Sequence, residues 1–245
     1  MKTALVTGAS SGIGLAISQY LAGRGIKVYG IARRFENACA DFEDSNVNHE
    51  EHNDNMLVKV KCDISNTEEL VKCIKKISKK QKIDILVNCA GIGIFGPHEQ
   101  LDPFAIEQMV SVNLTAPLII ANLLLRHLKE TKGIIINISS TAAKKISTYG
   151  CAYAATKAGL SHFSDSLFHE ARKSGVRVVT ICPDITKTEF YNNADFKECD
   201  DEYCFLFAED IVRAVDFALS CREGAVAREL TLMPQKFRID RKNNK

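Results

Sequence analysis

Ala4-Leu5-Val6-Thr7-Gly8-Ala9-Ser10-Ser11-Gly12-Ile13-Gly14-Leu15-Ala16-Ile17 decides how this chain folds. A short apolar run meets a glycine-rich turn, and an apolar pattern of helical period follows. Strand, turn and helix in that order open a βαβ unit. Glycines at 8, 12 and 14 let the backbone approach a diphosphate closely. The new helix meanwhile aims its free N–H groups and the positive end of its dipole at that charge. The spacing is Gly-x-x-x-Gly-x-Gly rather than the commoner Gly-x-Gly-x-x-Gly.

Outward from this unit, strand-like and helix-like segments alternate. Strands are expected at 4–7, 28–32, 56–62, 83–89, 134–139, 176–182 and 230–233, with helices at 12–23, 67–80, 103–129, 150–173 and 209–221. Such alternation predicts a parallel sheet wrapped by helices. Asp102-Pro103 is a cap and first-turn signal for the third helix, and Gly175 closes the fourth. The polar segment 37–55 reads as a solvated loop, although His49, Glu50, Glu51 and His52 raise the possibility of a metal site. The basic end, 236–245, reads as a frayed tail.

A second signal lies at Ser140 and Tyr153-Ala154-Ala155-Thr156-Lys157. Residues four apart on a helix share a face, so Tyr153 and Lys157 can meet. An ammonium beside a phenol favours the phenolate and lowers its pKa from the usual ~10. A tyrosine tuned this way exchanges protons with an alcohol oxygen. Ser140 can reach the same site if a loop separates its strand from that helix.

With these motifs, the chain resembles the NAD(P)-dependent short-chain dehydrogenase/reductases of the single-domain type. The motifs run in order: Thr7-Gly8-x-x-x-Gly12-x-Gly14, Asp63, Asn88-Cys89-Ala90-Gly91, Asn113, Ser140, Tyr153-x-x-x-Lys157 and Pro183-x-x-x-x-Thr188. The resemblance implies an α/β fold, a Rossmann-like doubly wound parallel seven-stranded sheet flanked by helices on both faces. It also implies one dinucleotide-binding oxidoreductase domain over 1–245, with a substrate lid at about 189–207. Asn113, Ser140, Tyr153 and Lys157 would be the catalytic set, and the family's thirteen-residue spacing selects Ser140 over Ser139. Gly8, Ser10, Ser11, Gly12, Ile13 and Gly14 would meet the phosphates and adenosine ribose, and Asp63 and Ile64 the adenine. Asn88, Ala90 and Gly91 would lie along the adenosine ribose. Pro183, Ile185 and Thr188 would sit at the nicotinamide end, where Tyr153 and Lys157 also serve the cofactor. Two positions depart from the family pattern: Cys89 replaces an Asn, and Asp184 replaces a Gly that Asp can imitate by adopting a left-handed backbone.

The end of the second strand chooses the dinucleotide. An acid there would hold the free 2′-hydroxyl of NAD, whereas arginine accepts the 2′-phosphate of NADP. Ile31-Ala32-Arg33-Arg34 offers no acid and two guanidiniums able to fork onto phosphate. NADP is therefore expected ahead of NAD.

The bulk figures bound the rest. With 245 residues, 32 basic against 30 acidic and a net charge of +2, nothing marks a nucleic-acid surface. Lys72, Lys75, Lys76, Lys79, Lys80 and Lys82 fall at helical spacing, as a solvated face. Nine cysteines without a Cys-x-x-Cys pair suit a reduced, cytoplasmic protein with no metal. No apolar stretch is read as reaching the roughly 20 residues that span a bilayer, and a strand so close to the first residue leaves no room for a signal peptide. The substrate is expected to be a small carbonyl compound or alcohol, and family members pair through their long helices into homodimers or homotetramers. Phe190, Tyr191, Phe196, Tyr203, Phe205 and Phe207, set among acids, suggest a bulky apolar substrate rather than a sugar phosphate. The competing readings are a dinucleotide-binding regulator without catalysis and, among enzymes, a 3-ketoacyl-type reductase or a sugar-nucleotide epimerase.

Overall fold

In chain order the elements are β1 (Thr3–Thr7), α1 (Gly12–Gly23), β2 (Lys27–Ala32), β3 (Leu57–Lys61), α2 (Thr67–Lys80), β4 (Ile85–Asn88), α3 (Pro103–Val110), α4 (Ala116–Thr131) and β5 (Ile134–Ile138). They continue with α5 (Cys151–Ala171), β6 (Arg177–Pro183), β7 (Phe196–Glu198), α6 (Ala208–Ser220), β8 (Glu229–Leu232) and β9 (Ile239–Arg241). This computed structural model describes residues 1–35, 56–192 and 194–242. The segment 37–55, with its two histidines, lies outside the described residues.

Seven strands form one parallel sheet in the order β3-β2-β1-β4-β5-β6-β8. Successive side chains on a strand face opposite ways, and both faces here are covered. On one face Ala4, Val6, Val28 and Val87 meet Ile17 and Leu21 of α1 and Ile211 and Val215 of α6. On the other, Leu5, Tyr29, Leu86 and Ile135 meet α2, α4 and α5 through Leu70, Ile74, Ile120, Leu124 and Phe168. Burial on both sides explains why these strands read as unbroken apolar runs. Strand order reverses between β1 and β4, and a crevice at their carboxyl ends is where such sheets bind ligands.

Helix ends follow their sequence signals. Asn66 Oδ1 caps α2 by accepting from the Glu68 and Glu69 amides, and Asp102 caps α3 through the Phe104 amide. The stretch expected as one helix from 103 is continuous to Thr131 but widens into a π-helical turn over Ser111–Thr115, around the fully buried Asn113. Contrary to the sequence reading, Pro103–Thr131 is long and apolar enough to cross a membrane by length and composition alone. Met109, Ile120, Leu124 and Leu128 are fully buried in the fold, which makes it a core helix here.

The tail is a second correction. Ile239–Arg241 is not frayed: it pairs antiparallel with β7, and Lys236 donates from its amide to the Tyr203 carbonyl at 2.9 Å. Main-chain pairing to a neighbouring edge overrides the polar composition that suggested disorder.

Candidate active site

At the crevice, β1 ends in a turn that only glycine can make. Gly8 and Gly12 hold φ of +73° and +52°, in the left-handed region. A Cβ on Gly8 would lie 2.8 Å from Ala90 Cα, and one on Gly14 would lie 2.2 Å from the Gly8 carbonyl oxygen. Thr7 Oγ1 accepts from the Cys89 and Ala90 amides, both at 3.1 Å, and so ties the β1 and β4 ends together. Ser11 precedes α1 without a side-chain cap, leaving the amides of the first helical turn directed at the crevice. A diphosphate fits this arrangement, because the backbone comes close and amides face the charge.

From here a cavity of about 920 Å³ runs across the ends of the strands. Gly8, Ser10, Ser11, Gly12, Ile13 and Gly14 line one part, and Arg33, Arg34, Asp63 and Ile64 another. Ala90 and Gly91 lie along it, and Ser140, Tyr153, Lys157, Pro183 and Thr188 complete it. Asn88, Asn113 and Ile185 do not line it, and each is buried. Asn88 donates to Asn137 Oδ1 at 2.7 Å, and Asn137 in turn donates to Ser164 Oγ, a polar chain that locks β4, β5 and α5. Asn113 grips the loop after β4: its Oδ1 accepts from the Ile92 amide and its Nδ2 donates to the Ile92 carbonyl, both at 2.8 Å. Asp63 Oδ1 accepts from the Ser65 amide and hydroxyl.

Ser140, Tyr153 and Lys157 converge as the spacing predicts. Ser139 also borders the cavity, and its hydroxyl bonds the Lys157 carbonyl and Ser161. Tyr149 is largely exposed, does not line the cavity, and accepts the Gly96 amide at its carbonyl. Lys157, 3% exposed, donates to the Ile138 carbonyl at 2.9 Å and lies 5.9 Å from the Tyr153 ring centroid. One expectation reverses. Burial pushes Tyr153 up to about 12, with only a hydrogen bond to Ser140 pulling it down. Lys157 does not lower it, being engaged with a carbonyl and itself brought down to about 8 by desolvation.

Asp184 also departs from expectation. Among the described residues, Lys132 and Tyr149 are the non-glycine ones with positive φ, and Asp184 is not one of them. Its Oδ1 instead accepts from the Ile185 amide at 2.9 Å, and its Oδ2 pairs with Lys145 at 3.1 Å. Cys89, in the other departing position, faces the cavity as a thiol that burial pushes up to about 12.

Residues outside the motifs complete the reacting end. The Phe95 and Phe190 rings flank Tyr153 at 5.4 and 5.8 Å, and Tyr191 and Phe196 extend the group. The lid aromatics were visible in the sequence, but Phe95 was not; Gly91-Ile92-Gly93 just before it was the available hint of close packing. A Cβ on Gly93 would come within 2.7 Å of Phe95 and 2.8 Å of Phe190.

The buried lysine has a stability consequence. With its pKa brought from 10.5 to about 8, its charged form is penalised throughout the range below pH 8, and the penalty fades as pH rises toward 10.5. Lys157→Met is expected to stabilise the fold near pH 7 by roughly 2 kcal/mol, after about 1 kcal/mol is lost with the bond to Ile138. At pH 10.5 the gain should vanish. Urea unfolding at the two pH values checks this, and a variant less stable than wild type at pH 7 would contradict it.

A family model described as short chain dehydrogenase matches residues 2–198. An uncharacterized oxidoreductase of Staphylococcus saprophyticus is 32% identical over 239 residues, covering 95% of this chain and 97% of the relative. Among solved structures, an alcohol dehydrogenase from the archaeon Thermococcus sibiricus complexed with 5-hydroxy-NADP aligns with a TM-score of 0.81 at 24% identity, covering 96% of this chain and 97% of that one. A 4-hydroxyisoleucine dehydrogenase complexed with NADH gives the same TM-score and identity over 96% and 98%. Both structural likenesses concern the fold.

Proposed function

The chain belongs to the short-chain dehydrogenase family, and on that premise we propose that it is an oxidoreductase using NADP(H) ahead of NAD(H) on a carbonyl compound or secondary alcohol. The observation that carries the reading is the convergence of Ser140, Tyr153 and Lys157 on the same cavity as the glycine cradle. When bound, the dinucleotide supplies or accepts the hydride. Everything else is done by the chain. In the reducing direction Tyr153, held protonated at neutral pH by burial, gives its phenol proton to the carbonyl oxygen. The Ser140 hydroxyl donates to the same oxygen as negative charge develops there. Lys157 lies beside both the phenol and the cofactor's path, and Asn113 holds the Ile92 backbone, which lines the cavity. Arg33 and Arg34, exposed at the adenosine end, support NADP, while the structural relatives are described with both NADP and NADH. A survey of ketones with NADPH and NADH, followed by loss of nicotinamide absorbance, tests the activity.

The substrate reading rests on Phe95 beside Tyr153, with Phe196 behind it, which make the reacting end apolar. Higher kcat/KM is expected on cyclic or aryl ketones than on phosphorylated sugars. A side-by-side assay favouring the phosphorylated compounds would overturn it.

We read the whole chain as one dinucleotide-binding unit, cytoplasmic in view of its free cysteines, and as a homodimer or homotetramer. Ala155 and Ala158 are exposed on α5 and would let a second helix approach, whereas Gly159 is used internally against Leu114. Light scattering is expected to give at least twice the 27.1 kDa chain mass; a monomer at micromolar concentration would refute this.

A further inference from the structure

We propose that Phe190 plugs the reacting end of the cavity, that Lys242 on the C-terminal segment holds it there, and that the dinucleotide binds only by expelling it. The inference rests on the function proposed above and adds a means of regulating that site.

The ring's position makes the case. A Cβ on Gly91 would lie 3.4 Å from Lys157 Nζ and 3.9 Å from Phe190 Cε2, so the ammonium and the ring edge both border Gly91. Two atoms of the same ring, Cε1 and Cζ, would come within 2.8 Å of a Cβ on Gly93, so the ring rests directly on that backbone. The ring also meets Tyr191 at 5.1 Å and Tyr153 at 5.8 Å, and Tyr153 is only 7% exposed between Phe190 and Phe95. Phe190 thus borders the same end of the cavity as the phenol, Ser140 and Lys157.

The ring is held from behind. Lys242 Nζ donates to the Tyr191 and Asn192 carbonyls, each at 2.8 Å, closing the carboxyl end of the short helical turn Glu189–Tyr191 that carries Phe190. The Lys242 amide bonds the Asp195 carbonyl, β9 pairs with β7, and Lys236 pairs with Asp201 at 2.8 Å. β7 then passes the constraint inward through Phe196, whose ring contacts Phe95 at 5.2 Å and Tyr191 at 5.3 Å. The half of this strap formed by 236–242 lies beyond residues 2–198 that the family model matches.

A plug lowers apparent affinity by the fraction of molecules in which it is open. If it is open in about a tenth to a third of them, Phe190→Ala should tighten NADPH binding roughly 3- to 10-fold. Lys242→Ala should act in the same direction. Lys242→Arg should restore the wild-type value, since a guanidinium can also donate to two carbonyls. The double variant Phe190→Ala/Lys242→Ala should bind no more tightly than Phe190→Ala alone.

The test is equilibrium titration of NADPH fluorescence with each full-length protein. Tighter binding in Lys242→Ala, reversed in Lys242→Arg, supports the plug even if Phe190→Ala does not fold, because a merely structural lysine would weaken binding or leave it unchanged. Unchanged or weaker binding in Lys242→Ala, with wild type binding normally, would overturn it. Failure of wild type to bind NADPH at all would overturn the proposed function, and this inference with it.

Discussion

Tyr153→Phe is expected to lower NADPH-dependent turnover by about 100-fold or more while leaving NADPH affinity nearly unchanged. The variant keeps the ring, so its packing against Phe95 and Phe190 survives, and it loses only the hydroxyl that carries the proton. General acid catalysis is worth about 10²–10⁴ in rate. Because burial holds the phenol near 12, the group stays protonated throughout the neutral range. Lys157→Ala should damage both turnover and cofactor binding, which separates the two roles. Steady-state kinetics and cofactor titration on both variants provide the check, and a rate above about a tenth of wild type in Tyr153→Phe would exclude it as the general acid.

Replacing Arg33 and Arg34 together by Ala is expected to weaken NADPH binding by about 2–3 kcal/mol, close to 100-fold, and NADH binding far less. Both side chains are exposed at the cavity beyond the carboxyl end of β2, beside Ala32, with no acid in the position that would hold a ribose hydroxyl. Guanidinium-to-phosphate contacts are charge-assisted and forked, so losing two of them removes more than ordinary surface charge would. The discrimination should also weaken at high salt, because exposed charges are screened. Titration of wild type and double variant with both dinucleotides measures it. Tighter binding of NADH than NADPH by wild type would refute the assignment of these arginines.

Much of this was legible because the governing signals are local. Strands buried on both faces leave continuous apolar runs, and expected strands such as 28–32 and 134–139 fall within a residue of β2 and β5. The glycine turn was readable because positive φ and close backbone approach leave glycine as the only solution. Ser140, Tyr153 and Lys157 were readable from spacing on one helix and one strand end. What depends on packing between distant segments was not. β7 and β9 are three residues each, too short and too charged for a period-two pattern to show, and their pairing joins positions more than forty residues apart. Phe95 carries no mark of its contact with Tyr153, since that contact exists only once the loop after β4 folds over α5. The raised Tyr153 pKa was misjudged for the same reason: spacing reports that a lysine is near, while desolvation depends on every neighbour at once.

The central claim is that this cavity passes a hydride between NADPH and a carbonyl carbon while Tyr153 supplies the proton. NADPH carrying deuterium at the transferable position of the nicotinamide, incubated with wild-type protein and a panel of cyclic and aryl ketones, tests this most directly. The account predicts loss of NADPH absorbance, deuterium on the carbinol carbon of the product alcohol, and loss of both on substituting Tyr153 by Phe. Tight NADPH binding by wild type with no deuterium transfer to any ketone in the panel would contradict it, and would point to a dinucleotide-binding protein without this chemistry.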